Sequence, residues 1–223
     1  MILSKKKNSI LFIYDHSLKT GNGHLRRCEY FSKIFPKQFN IKYLKFNNEI
    51  YGNFSKKKYE YIIIDSYKID FFSEMKIKNF CKKLITIDDN YNRRFASDII
   101  INYSPLVKKK YYQKKSLKKT KLLLGNKYNF IQKKKFFKKI KDKNLDKKLN
   151  LFIYFGTKNR SNLVKGILKK TKNIKIINKI YVINKKKIIP HNIFLEKINT
   201  SDLMLISSGV TLQECLNMKK MIF

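Results

Sequence analysis

The chain has 223 residues and a formal net charge of +37, with 52 Lys and Arg against 15 Asp and Glu; 43% of its residues are hydrophobic. That is enough apolar material for a real core in one large domain or two small ones. No apolar run approaches the length of a membrane span, and Lys5-Lys6-Lys7 followed at once by a strand does not read as a secretion signal. Cys28, Cys81 and Cys215 are isolated and lack metal-ligand spacing, so they read as buried thiols in a reducing, cytoplasmic compartment.

Strands are expected at residues 10–14, 41–46, 61–65, 84–88, 99–101 and 122–124, with helices over 23–35 and 70–82. Near-continuous apolar runs such as Tyr61-Ile62-Ile63-Ile64 suit strands buried on both faces, as in a parallel sheet covered by helices. Residues 1–132 form the first predicted domain. A lysine-rich helix or linker over 133–148 carries Phe136, Phe137 and Ile140 at helical spacing. The pattern then restarts over 149–223: a strand at 151–155, a helix at 162–170, strands near 180–183 and 203–206, and a helix at 210–217. Met221-Ile222-Phe223 reads as the opening of another strand. About 75 residues fall below the usual ~100–150 for such a domain, so this second unit is expected to be truncated.

The charge invites a nucleic-acid reading. Yet arginine occurs only at positions 26, 27, 93, 94 and 160, whereas a phosphate-gripping surface favours the guanidinium fork. Lys, Asn, Ile, Phe and Tyr are abundant together and share A/T-rich codons, so genome bias accounts for the excess; no specific nucleic-acid partner is expected.

In parallel α/β sheets ligands bind at the carboxyl ends of the strands. Asp15, Asp65, Asp88 and Asp89 lie at predicted strand ends although acids are scarce, and Asn102 ends a further strand. Gly21, Gly23, Gly125, Gly156 and Gly209 are five of only seven glycines, and each falls in a predicted loop. The stretch Thr20-Gly21-Asn22-Gly23-His24-Leu25-Arg26-Arg27-Cys28 is a glycine turn opening a helix. Such a turn presents backbone N–H groups to an anionic or hydroxyl-rich ligand, with His24 placed for proton transfer. Taken singly, each acid can equally cap a turn or helix and each glycine can serve a plain connection.

These motifs, in this order, resemble the UDP-2,4-diacetamido-2,4,6-trideoxy-β-L-altropyranose hydrolases of pseudaminic acid synthesis. That family sits in a wider group similar to GT-B nucleotide-sugar glycosyltransferases, which includes sugar transferases of spore-coat polysaccharide synthesis. Asp15-His16-Ser17 with Gly21-Asn22-Gly23-His24-Leu25-Arg26-Arg27 resembles the opening motif. Asp65-Ser66-Tyr67, Asp88-Asp89, the Asp98–Asn102 strand and Gly125-Asn126-Lys127-Tyr128 follow in family order. Ser208-Gly209-Val210-Thr211-Leu212-Gln213-Glu214 resembles the family's Gly-Gly-x-Thr-x-x-Glu helix start.

The resemblance implies two Rossmann-like domains with parallel sheets in a GT-B-like arrangement, a cleft between them, and no cofactor or metal. His24 would be the base, and Asp15, Gly21, Asn22, Gly23, Arg27, Asp65, Tyr67, Asp89, Asn102 and Tyr128 would hold the sugar. Gly156, Thr157, Asn162, Ser208, Gly209, Val210, Thr211 and Glu214 would hold UDP, with Glu214 on the ribose hydroxyls. The implied reaction is hydrolysis of the UDP-sugar. The alternatives are a GT-B transferase serving surface polysaccharide, or a non-catalytic UDP-sugar-binding fragment. The chain departs from the family at Gly156-Thr157-Lys158-Asn159, where Gly-Gly-x-Asp is usual, and at Ser208, Ile13 and the lysines before Phe136.

Overall fold

A computed structural model of the chain describes residues 8–16, 22–47, 54, 58–131, 148–156, 160–183, 189–207 and 209–223. It is a mixed α/β protein that divides into two compact units, the first carried by Met1–Ser17 with His24–Phe130 and the second by Leu18–Gly23 with Ile131–Phe223. The lysine-rich stretch 133–148 lies, except for Lys148, outside the described residues.

The first unit is built on β1 (Ser9–Tyr14), α1 (Gly23–Ser32), β2 (Asn40–Lys45), β3 (Tyr59–Asp65), α2 (Phe71–Lys78), β4 (Cys81–Ile87), β5 (Ile99–Asn102), α3 (Lys110–Gln113) and β6 (Lys121–Leu124). Its six strands are all parallel, in the order β2-β1-β3-β4-β5-β6. Ile62, Ile63 and Ile64 of the central β3 are fully buried, as a strand covered on both faces requires. The two faces of β1 separate the helices. Phe12 meets Phe31 and Phe35 on the α1 side, whereas its neighbours Leu11 and Ile13 share a core cluster with Ile77 of α2.

The second unit runs β7 (Leu149–Tyr154), α4 (Ser161–Thr171), β8 (Ile177–Val182), α5 (His191–Thr200), β9 (Leu203–Ile206), α6 (Val210–Asn217) and β10 (Met221–Ile222). Its four strands are also parallel, in the order β10-β9-β7-β8. Phe152 of β7 and Met204 of β9 form its core with Phe194, Leu195 and Ile198 of α5 and Cys215 of α6.

The helix expected over 23–35 ends at Ser32. The helix read over 70–82 is shorter: Asp70 caps it, accepting from the Ser73 N–H at 2.8 Å, and the chain re-enters the sheet at Cys81. Lys82 and Lys83 belong to β4, where exposed lysines at the strand start masked its true beginning. Helix α5 is not among the expected helices, although Phe194, Leu195 and Ile198 form its buried face at helical spacing. Among the described residues no helix is long and apolar enough to cross a membrane.

Candidate functional site

Strand order places the first site. β1 connects through α1 to β2 on one side, while the adjacent β3 connects through α2 to β4 on the other. Connections that leave neighbouring strands for opposite faces open a crevice at their carboxyl ends. The residues there are Asp15 after β1, Asp65-Ser66-Tyr67 ending β3, and the first turn of α1 with His24.

Asp65 is the hub of a buried network. Its Oδ1 lies 2.7 Å from His24 Nδ1 and 2.5 Å from a terminal nitrogen of Arg27, while Oδ2 accepts from Arg27 Nε at 2.6 Å. The other terminal nitrogen of Arg27 donates to Asp89 Oδ2 at 2.5 Å, and the Tyr67 hydroxyl donates to Asp89 Oδ1 at 2.5 Å. The Tyr67 and His24 rings meet edge to face, with centroids 4.8 Å apart. Helical spacing brings His24 and Arg27 onto one face of α1.

Burial works against the charge on Arg27, but Asp65, Tyr103 and Asp89 around it lift its pKa well above the ordinary value. Desolvation likewise opposes ionised Asp89, yet Arg27 and the Tyr67 hydroxyl hold it below the usual carboxylate range. Desolvation and the Asp89 charge push the Tyr67 phenol upward, so it stays a donor. The Tyr103 phenol is raised by burial, with Arg27 beside it opposing.

The tautomer of His24 follows from its partners. A carboxylate only accepts, so Nδ1, at 2.7 Å from Asp65, carries the proton. The 3.1 Å approach of Arg27 to the same Nδ1 is then proximity between two donors. Neutral His24 therefore has its lone pair on Nε2. Two carboxylates face one guanidinium in this network.

Other sequence-predicted residues serve the site from behind. Asp15 accepts from Ser66 Oγ at 2.7 Å and from the Tyr67 N–H at 2.9 Å, which fixes the loop that presents Tyr67. Asn102 is buried, donating to the Tyr112 hydroxyl at 2.8 Å and accepting from the Ser104 N–H at 2.9 Å. The Tyr112 hydroxyl in turn donates to Asp88 Oδ2 at 2.6 Å. Burial raises the Asp88 pKa, opposed by the Tyr112 and Tyr91 hydrogen bonds. Asn22 and Gly23 are exposed at the start of α1; Gly21 lies outside the described residues. Tyr128 sits on a single 3-10 turn after Gly125, and among the described residues no bond joins it to the His24 network.

Sequence reasoning missed Glu74, Tyr103 and Tyr112. Glu74 is fully buried in α2 and takes donors from Thr86, Arg93, Ala96 and Ser97. No local pattern marks it; a lone glutamate on a helix ordinarily faces solvent.

In the second unit β7 and its neighbour β9 play the part of β1 and β3. Gly156 follows β7 with φ +74, and a Cβ there would lie 3.7 Å from Ser207 Oγ, so the two strand ends adjoin. Gly209, with φ +128, precedes α6, whose first residues are Val210 and Thr211. Its left-handed backbone is one that side chains other than glycine rarely adopt. Glu214, one turn further in, is buried, and His191 Nε2 at the start of α5 lies 3.4 Å from its Oε1. Asn162 is exposed near the start of α4, while Thr157 and Ser208 lie outside the described residues. Among the described residues no group of three or more His, Cys, Asp or Glu is arranged to hold a metal ion.

No family model matches this chain. An uncharacterized protein of Methanocaldococcus jannaschii is 29% identical to it over 191 residues, covering 71% of this chain and 39% of that protein. The chain thus spans well under half the length of this relative.

Proposed function

We propose that the chain is a GT-B-like, cytoplasmic nucleotide-sugar hydrolase. It releases UDP and free 2,4-diacetamido-2,4,6-trideoxy-L-altrose from the UDP-linked sugar. The observation that supports this reading is His24, oriented by Asp65 through Nδ1 at the carboxyl edge of a parallel sheet. Nε2 takes a proton from water as its oxygen bonds to the anomeric carbon. The bond from that carbon to the diphosphate breaks, and UDP leaves with the electron pair. General-base assistance of this kind contributes roughly 10²–10⁴ in rate. Asp65 holds the ring in one tautomer and stabilises the imidazolium that forms, while Arg27 and Asp89 keep Asp65 and Tyr67 in place. Tyr67, partly exposed, meets the sugar.

In this reading the second unit holds the nucleotide. Backbone N–H groups at the start of α6 face the diphosphate, and Glu214 faces the ribose.

The test is UDP release from the UDP-linked diacetamido-trideoxy-altrose without acceptor or metal, comparing the chain with His24→Ala. Release that falls by at least about 10²-fold in the variant is expected. Release only on addition of a sugar acceptor makes the enzyme a transferase, and UDP binding without turnover makes the chain a binding fragment.

A further inference from the structure

We propose that Tyr91, backed by Tyr111, is an aromatic platform on which the pyranose ring of the UDP-linked sugar stacks. The proposal rests on the nucleotide-sugar reading above and adds to the sugar contacts that the family resemblance implies.

Backbone conformation singles out Tyr91. Its φ is +40°, in the left-handed region that a bulky side chain rarely adopts. Among the described residues, Lys219 is the one other non-glycine residue with positive φ, and it follows α6 as an ordinary helix end. Tyr91 ends no helix. Asn90 and Asn92 flank it, and asparagine takes such a conformation far more readily, yet the tyrosine holds it.

Three contacts hold the strained residue. Its N–H donates to Asp88 Oδ2 at 2.8 Å, and its carbonyl accepts from Lys115 Nζ at 2.5 Å. Its ring stacks on Tyr111, with centroids 4.5 Å apart and planes 17° apart. The next residue of α3, Tyr112, donates to the same Asp88 oxygen, so α3 grips the turn after β4 at two successive positions. Beyond the turn, Arg93 pairs with buried Glu74 at 2.8 Å. Strained residues persist only where their surroundings over-determine them, and they cluster at ligand-binding sites. Here the result is an aromatic side chain 40% exposed in a fixed place.

That place is the carboxyl edge of the six-stranded sheet. Tyr91 lies two residues beyond Asp89, whose carboxylate holds Arg27 and the Tyr67 hydroxyl in the His24 network. β4 adjoins β3, which ends at Asp65. An aromatic face beside hydrogen-bond acceptors suits a sugar. Ring C–H groups and the acetamido and deoxy methyls lie on the phenol, while polar substituents meet the acceptors. A ring already immobilised loses little freedom on binding, so the contact adds affinity at low entropic cost.

The experiment measures KM and kcat for UDP release from the UDP-linked diacetamido-trideoxy-altrose, together with the inhibition constant of free UDP. It compares the wild type with Tyr91→Phe, Tyr91→Ala and Tyr91→Gly, with thermal melting to verify folding. Tyr91→Ala and Tyr91→Gly are expected to raise KM about tenfold and to leave UDP inhibition within about twofold of wild type. Tyr91→Phe keeps the ring, and its KM is expected to stay within about twofold. Tyr91→Gly should melt above Tyr91→Ala, because glycine relieves the positive φ. A purely structural role makes KM follow the melting temperature, so a wild-type KM in Tyr91→Gly overturns the platform. A wild-type KM in folded Tyr91→Ala does the same, and either result leaves the hydrolase reading intact. If Tyr91→Ala does not fold, the KM of Tyr91→Gly decides. A wild-type chain that releases no UDP overturns the hydrolase reading and this inference together.

Discussion

Arg27 grips Asp65 through two parallel hydrogen bonds, from Nε at 2.6 Å and from a terminal nitrogen at 2.5 Å, and both side chains are no more than 5% exposed. A buried fork of this kind is set to a fixed geometry by the planarity of both groups. It ties α1 to the end of β3, and so fixes His24 relative to the carboxylate that orients it.

Breaking that pair leaves an uncompensated buried charge. Arg27→Ala is expected to lower stability by about 3–5 kcal/mol. Arg27→Lys keeps the charge but loses the fork, and is expected to cost less. Urea unfolding of the two variants measures both, and equal stability to wild type in Arg27→Ala would show that water replaces the guanidinium.

Glu74 is a purely architectural carboxylate. Its Oε1 takes Thr86 Oγ1 at 2.9 Å and Arg93 at 2.8 Å; its Oε2 takes the Ala96 N–H at 2.6 Å and both donors of Ser97 at 2.9 and 3.1 Å. Glu74→Gln turns one acceptor into a donor that faces other donors. A loss of about 2 kcal/mol or more is expected in urea unfolding. UDP release per folded molecule should stay as in the wild type; a selective loss of turnover would assign Glu74 a part in the chemistry.

Acid should weaken the first unit through depressed carboxylates. Desolvation opposes ionised Asp98, but the Leu84 N–H and Lys78 Nζ, each at 2.8 Å, hold its pKa below the ordinary value, and Asp89 is lowered in the same direction. A carboxylate with a lower pKa folded than unfolded adds stability that is complete above the unfolded value, about pH 4. That stability is lost as pH falls through the folded value. Asp88, raised by burial, acts the other way: its contribution favours the fold at low pH and is lost as pH rises through its folded value. Urea unfolding between pH 6 and pH 2.5 should therefore show a decline below about pH 4, shallower in Asp98→Asn. An identical decline in the variant contradicts the assignment of Asp98.

Much of the architecture is legible in one dimension because its cause is local. Apolar runs such as Ile62-Ile63-Ile64 commit a segment to a doubly covered strand whatever lies beside it, and glycines at 125, 156 and 209 mark turns whose backbone needs positive φ. The acids at the strand ends stand out because a lysine-rich chain keeps so few. From these the parallel α/β class and the candidate residues His24, Asp65, Tyr67 and Asp89 could be named without coordinates, whereas Arg27 entered only through the family resemblance.

What each acid does was decided only by tertiary structure. Asp15, Asp65, Asp88 and Asp89 look alike in sequence, yet Asp15 secures a loop and Asp88 a buried tyrosine. Asp65 and Asp89 instead close around Arg27 beside His24. The difference comes from strand order, which sets β1 against β3 and so opens the crevice there. Strand order depends on partners tens of residues apart, as do the hydrogen bonds of Glu74 and Tyr112 and the approach of His191 to Glu214. Periodicity records which face of an element is apolar; it holds nothing about which elements meet across that face.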